Sequence, residues 1–251
     1  IAKNERQAME LREVIGRRRS IRFLRPYQPV EPEKIQRMLE AARLASHWGN
    51  VQSLRAVVVC RDSAPVETLD ALYAPIAGWQ IRIAPFVIVW YIDTAAVYVQ
   101  SDRLRELLGA GALGFGDKKH DDLENVLIPI FDSIRESLKQ PGLGEVDCGQ
   151  GIAQATLMAY EQGLGTCCLG TPKADEIRVG LGLPDSCRVL LLQTVGYPAE
   201  SPEAGGQRPR RPFEELFSLN CYGEPFPRSQ EVVDELAADA MFTTPAPLPW
   251  R

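Results

Sequence analysis

The sequence predicts an α+β domain, and three observations carry that prediction. Runs 56–60, 84–92 and 189–195 are almost wholly apolar, the mark of strands buried on both faces. Between them, apolar residues recur at helical spacing. No repeat, linker or compositional break divides the 251 residues, so one domain spans 1–251.

The N-terminal segment carries Ala8, Leu11, Val14 and Ile15 at helical spacing, and Gly16 is a natural stop. Arg17, Arg18, Arg19 and Arg22 follow, with Ser20 among them. Pro26 biases Arg25 away from helix, so the arginines run from a helix end into an irregular segment. Guanidinium forks match phosphate oxygens and stay charged at any working pH. Cations at a helix C-terminus also simply complement the macrodipole.

Pro29 to Glu33 opens a second helix, with Ile35, Met38, Leu39, Ala42 and Ala45 on its apolar face. It stops near Ser46–Asn50, and the 56–60 strand comes next. Residues 66–74 read as helix, ahead of the strand at 84–92. Segments 103–108 and 123–138 also read as helix, flanking a Gly/Asp/Lys-rich loop. The whole stretch 94–146 is the candidate for a mobile lid or substrate-selecting insertion. A small-residue helix spans 147–162, with Ala153, Ala155 and Ala159, and ends in the turn Gly163-Leu164-Gly165. After the 189–195 strand come Gly196-Tyr197-Pro198, a polar Pro/Gly-rich segment over 199–212, and a short helix at 231–240. An apolar tail, 245–250, has no core of its own.

Net charge is −5 while the basic residues are clustered. That pattern favours a local anionic ligand over a nucleic-acid footprint. Six cysteines form no CxxC pair, and His47 and His120 are the only histidines. A structural metal site is therefore not expected. No secretory leader or long apolar span is visible, which predicts a cytoplasmic protein with reduced thiols and no membrane partner. The sequence starts at Ile1, which leaves room for residues upstream.

Gly109-Ala110-Gly111-Ala112-Leu113-Gly114 matches GxGxxG. A dinucleotide fingerprint follows a strand and opens a helix; here the preceding residues read as helix, so a glycine hinge is the better reading. The cluster Arg208, Arg210 and Arg211 lies nearly a chain length from the first. Each alone is also a solvated loop, but together the two fit a phosphate monoester. Asn50 and Gln52 enter a buried strand. They either satisfy local backbone groups or hydrogen-bond the edge of a heteroaromatic ring.

Four segments carry a resemblance. Arg18-Arg19-Ser20-Ile21-Arg22-Phe23 is similar to an opening R-R-S-x-R-x-F motif, and 41–52 to A-A-x-x-A-P-S-x-x-N-x-Q. Residues 163–170 resemble G-L-G-x-x-x-x-G; Val195 to Pro198, then Arg208-x-Arg210-x-Pro212, resemble V-G-Y-P and K/R-x-R-x-P. In that order they resemble the nitroreductase-like family of FMN-dependent oxidoreductases, over essentially the full chain. The resemblance implies a central mixed sheet flanked by helices, in an intertwined homodimer with two FMN sites at the interface. Arg18, Arg19, Ser20 and Arg22 would gather with Arg208 and Arg210 around the ribityl phosphate. His47, Trp48, Asn50 and Gln52 would reach the flavin from the other subunit. Cys168, Leu169 and Gly170 would line the ring, with a backbone N–H near N5, and Gln80 would meet the pyrimidine edge. The arm 222–251 would embrace the partner.

The family's usual Pro-Ser is Ser46-His47 here, and its Gln-Pro-Trp is Gln52-Ser53-Leu54. The altered loop faces substrate in the family. His47 is either a proton donor peculiar to this chain or a residue that packs against the helix end. Cys167 and Cys168 are either redox-active or small packing residues in a buried turn. The activity implied is hydride transfer from NADH or NADPH through FMN to a small oxidised aromatic such as a nitroarene or quinone, by ping-pong kinetics. Two other readings stand beside it. One is a specialised member: a flavin oxidase, a reductive dehalogenase or an enzyme that consumes its flavin. The other is a flavin-binding protein without turnover.

Overall fold

A computed structural model describes residues 9–73, 77–201 and 206–242. Strands β1 (Leu54–Cys60), β2 (Phe86–Asp93), β3 (Gly165–Leu169) and β4 (Cys187–Gly196) form one sheet in the order β1-β2-β4-β3. All three pairings are antiparallel. The parallel contribution is a single bridge, Ser20 to Thr166. It stays single because the chain leaves β3 after Ile21 and crosses to residues 197–199. The α+β class stands as the sequence predicts.

β2 and β4 are central, and each face of the sheet is covered. Val87, Val89 and Leu192 point to one face, with Ile21, Leu24, Leu72, Ile81 and Ile177. Helices α3 (Val66–Leu72), α4 (Gly78–Ile83) and α9 (Ala174–Gly180) supply that layer. Ile88, Trp90 and Val195 point to the other face, against α2 (Pro32–Arg43) and α8 (Leu143–Glu161). Burial on both faces explains why the strands read as unbroken apolar runs. The α8 side also buries one polar chain: Trp90 Nε1 donates to Gln193 Oε1 at 2.9 Å, and Gln193 Nε2 donates to Thr156 Oγ1 at 2.9 Å. Every member has a partner, so this burial is cheap.

Three elements differ from the sequence reading. Residues 165–169 are an edge strand, not a turn; five residues are too few to show a period. Gln80 lies inside α4, several residues before β2 begins. α9 was not anticipated. Both helices span two turns or fewer, too short for an apolar stripe to repeat.

The stretch 94–146 is mostly helical. It contains a 3₁₀ segment (Thr94–Val99), α5 (Gln100–Gly109), a single turn α6 (Lys119–Asp122), a π turn (Leu123–Leu127) and α7 (Ile128–Leu138). Leu104, Leu108, Leu123, Ile128 and Phe131 give it a small core of its own. The loop after α5 holds Gly111 and Gly114 at φ 74° and 78°. These glycines turn the chain after a helix, the wrong context for a dinucleotide fingerprint.

Helix α1 (Leu11–Arg17) precedes the arginines. Near the C-terminus, α10 (Phe213–Leu216) and α11 (Gln230–Ala238) are joined by a turn in which Phe226 N donates to Phe217 O at 3.0 Å. Arg12 of α1 pairs with Glu235 at 2.7 Å and with Asp239. Residues 208–242 contain no buried residue. The tail at 243–251, including the apolar 245–250, lies outside the described residues. Among the described residues, no helix is long and apolar enough to cross a membrane.

Gly151 marks a close contact of α8 with α2 and β1. A Cβ there would meet the Ala42 carbonyl oxygen at 3.0 Å and Leu54 Cδ2 at 2.5 Å. Better helix propensity offers about 1 kcal/mol, against overpacking of about 1–3 kcal/mol. Gly151→Ala is therefore expected to lower stability by about 1 kcal/mol, read from the urea midpoint at unchanged m-value.

Candidate functional site

Residues 18–25 form a strap that carries Arg18, Arg19, Ser20 and Arg22 past the end of the sheet. Ile21 N donates to Thr166 O at 2.9 Å, which ties the strap to β3. Arg25 N donates to Tyr197 O and Ala199 N to Phe23 O, both at 2.8 Å, which ties it to the Gly-Tyr-Pro turn. Tyr197 is itself fixed: its hydroxyl donates to Glu31 at 2.6 Å and accepts from Lys34 at 2.8 Å. Phe23 packs on Trp79, ring centroids 5.0 Å apart, so α4 and Gln80 stand beside the strap. Gln207 Nε2 donates to Gly16 O at 3.3 Å and to Met241 O at 3.0 Å. The second basic cluster therefore begins against the helix end from which the first one leaves.

Arg18, Arg22 and Arg210 have no carboxylate partner among the described residues. Arg211 pairs with Glu215 at 2.7 Å. Glu200 accepts from the backbone N–H groups of Arg22 at 2.6 Å and Phe23 at 3.1 Å, so the strap already receives an anion. Arg19 departs from the expectation of a cofactor ligand. Its side chain is buried, and Nη1 donates to the carbonyls of Gly16 at 2.9 Å, Arg17 at 2.7 Å and Arg18 at 3.1 Å. Those are the orphan acceptors of the α1 C-terminus, so Arg19 caps a helix rather than holding a ligand.

Cys168, Leu169 and Gly170 lie at the end of β3 on the strap's side of the sheet. Leu169 is buried, Cys168 is exposed, and a Cβ on Gly170 would meet nothing. Burial pushes the Cys167 thiol up, which keeps it protonated and poorly nucleophilic. Cys167 is a packing residue of a strand. Gln80 is buried, and its Oε1 has no hydrogen-bond partner. Such an orphan is costly, which marks it as an acceptor awaiting a donor.

His47, Trp48, Asn50 and Gln52 lie elsewhere. Their loop enters β1, at the sheet edge opposite β3. Three interstrand steps of roughly 4.8 Å each separate the two edges. Gly49, Asn50 and Gln52 all have left-handed backbones, at φ 53°, 53° and 50°. Two of them are not glycine, so the loop is strained. Four contacts hold it. Trp48 N donates to the buried Asp147 carboxylate at 2.8 Å, and Trp48 stacks on Phe131 at 4.7 Å. Gln100 Nε2 donates to Gly49 O at 3.3 Å, and Arg55 Nη1 to Gln52 O at 2.6 Å. The helical stretch 94–138 thus contacts this loop through Gln100 and Phe131. Its amphipathic periods were legible; which loop its inner face would grip was not.

His47 is half-buried, and its Nδ1 has no partner. Desolvation depresses its pKa, Arg55 adds to that effect, and Asp147 opposes it. The imidazole is therefore neutral at pH 7.

Two predictions come from this geometry. Arg19→Leu removes a buried guanidinium from three carbonyls and is expected to cost the unliganded protein about 2–3 kcal/mol. The exposed Arg22→Leu should change it by less than about 0.5 kcal/mol; urea unfolding of both reads the contrast. For His47, the folded pKa lies below the ordinary 6.5. As pH falls below 6.5, the unfolded chain takes up a proton that the folded chain resists, so stability is lost. His47→Gln should abolish that part of the loss between pH 7.5 and 5, read as the difference between the two midpoint curves.

Comparison with known proteins adds the following. A curated NADPH-dependent oxidoreductase of Staphylococcus haemolyticus is 32% identical over 114 residues. That match spans 45% of this chain and 45% of the relative, so the chain covers under half of that protein. A candidate nitroreductase of Exiguobacterium sibiricum, solved in complex with FMN, superposes with a TM-score of 0.70 at 21% identity, covering 86% of this chain and 99% of that one. A nitroreductase family protein of Streptococcus pneumoniae gives 0.65 at 22% identity, covering 84% and 100%. At these identities the structural likeness is one of fold. The Nitroreductase family model matches residues 15–197, well over half of the sequence, and the chain belongs to the nitroreductase family.

Proposed function

We propose that this protein is an FMN-dependent NAD(P)H oxidoreductase, acting as a homodimer on small oxidised aromatics such as nitroarenes or quinones. One observation carries the reading. The strap that bears Arg18 and Arg22 is tied to edge strand β3, while the strained His47–Gln52 loop enters β1 at the other edge. Neither half is a site alone, and a second copy brings the missing half to each. The wholly unburied segment 208–242 and the open small-residue face of α8, at Gly149 and Ala153, are surfaces such a copy would cover.

The residues present fit FMN. Arg18, Arg22, Arg208 and Arg210, with the Ser20 hydroxyl, form a donor set for a phosphate dianion. The orphaned Gln80 Oε1 suits an imide N–H at the pyrimidine edge. Gly170 leaves open the approach that a side chain would narrow. FMN, when bound, supplies hydride acceptance and donation at N5. The backbone N–H at Gly170 would face N5, where a donor would stabilise negative charge as it develops. Trp48 would exclude water from the ring face, and Asn50 and Gln52 would hold it from the second copy. His47 would stand on the substrate side. One pocket serves nicotinamide and aromatic in turn, which gives ping-pong kinetics. The curated relative's NADPH dependence and the FMN held by the structural neighbour agree with this reading.

Subunit complementation tests it. Arg22→Ala/Arg210→Ala and Asn50→Ala/Gln52→Ala chains should each bind FMN weakly and oxidise NAD(P)H slowly. Unfolded, mixed and refolded together, random pairing restores roughly one intact site in four. Flavin absorbance and NADPH oxidation should recover to that fraction. No recovery would refute the shared site, and wild-type protein that binds no FMN would refute the cofactor.

A further inference from the structure

A cavity of about 290 Å³ lies between α2 and β1, beside the loop that carries His47 and Gln52. Its polar lining is Arg43, His47, Gln52 and Arg55. No carboxylate lines it. Arg55 has no ion-pair partner among the described residues and spends one nitrogen on the carbonyls of Gln52 and Leu54, at 2.6 and 2.8 Å. Arg43, which lines the cavity, donates through Nε to Glu40 at 2.7 Å, and its terminal nitrogens have no hydrogen-bond partner among the described residues. The remaining wall is apolar, chiefly Leu39, Leu54 and Trp90. Trp90 has already committed its N–H to Gln193, so it offers carbon only.

The occupant is defined by what the walls lack. Two guanidinium groups, an amide and an imidazole present donors and positive charge, and the ligand must supply acceptors and negative charge. An apolar wall ending in an indole asks for a flat hydrophobic body. The volume sits at the small end of ligand pockets, with room for one ring. We propose that this cavity binds a single-ring aromatic carboxylate, its carboxylate on Arg55 and Arg43 and its ring against Leu39, Leu54 and Trp90. Because His47 and Gln52 belong to the loop assigned to the flavin side, such anions are also the substrates the enzyme selects. That second clause rests on the oxidoreductase reading; the binding itself does not.

Benzoate is the probe, with benzyl alcohol as its neutral match, each titrated into the purified FMN-loaded protein by calorimetry. Benzoate is expected to bind at least tenfold more tightly. Arg55→Gln should erase that preference. Arg43→Gln, an exposed change that leaves the Gln52 carbonyl held, should reduce it several-fold. The His47 C2–H resonance should titrate at higher pH with benzoate bound, because the ligand's charge adds to Asp147 and offsets Arg55. Equal binding of the two ligands, no binding of benzoate, or benzoate binding unchanged in both variants would each overturn the site. Turnover separates the two claims. The kcat/KM ratio of 4-nitrobenzoate to 4-nitrobenzyl alcohol should exceed ten and fall in both variants. Equal ratios in wild type would overturn substrate selection. Benzoate binding as described, in a protein that oxidises no NAD(P)H, would sink the oxidoreductase reading and leave the anion site standing.

Discussion

The backbone bonds of the strap carry the rest of the molecule. Ile21 to Thr166 on one side, and Arg25 to Tyr197 with Ala199 to Phe23 on the other, hold residues 20–25 across the end of the sheet. Each is an ordinary hydrogen bond of about 1 kcal/mol net. Their importance is positional: they bring segments far apart in sequence to one place. Ile21 and Leu24 are then buried in the core, which makes the strap part of the domain rather than a loop upon it. The arginines inherit a rigid base. Arg19 reinforces it by capping α1 from within, and Arg18 and Arg22 are left facing outward.

The opposite edge is built on a different principle. Its loop is unfavourable by itself, since Asn50 and Gln52 sit in left-handed conformations. Such strain persists where surroundings over-determine the backbone. Here α7 stacks on Trp48, α5 holds the Gly49 carbonyl, and the buried Asp147 holds the Trp48 N–H. The 94–138 helices keep their own core, and so can act as a rigid support. Arg55 joins the two roles by bonding the Gln52 carbonyl and facing the cavity beside it.

The electrostatics follow the same division. An acidic chain keeps several guanidinium groups without carboxylate partners, and places them at the strap and at the α2–β1 cavity. Elsewhere most of its arginines are paired on the surface, as Arg105 is with Glu124 at 2.7 Å. Exposed pairs of that kind contribute little to stability.

The sequence by itself determined the class of fold, three of the four strands, the longer helices and the identity of the two arginine clusters. All of these rest on local pattern: unbroken apolar runs, helical periods, and charge concentrated within a few residues. The short elements escaped it, because β3, α4 and α9 are too brief for a period to repeat. Arg19 could not be told from Arg18 or Arg22 by type; only the turn of α1 decided that its side chain points inward to three carbonyls. Likewise Gln80 is an ordinary amide until packing strips its oxygen of partners, and 94–138 is a run of helices until its inner face meets Trp48 and Gly49. Tertiary structure alone placed the Ser20–Ile21 strap and the His47 loop at opposite edges of one sheet. Strand order is set by long-range pairing, and no local pattern encodes it.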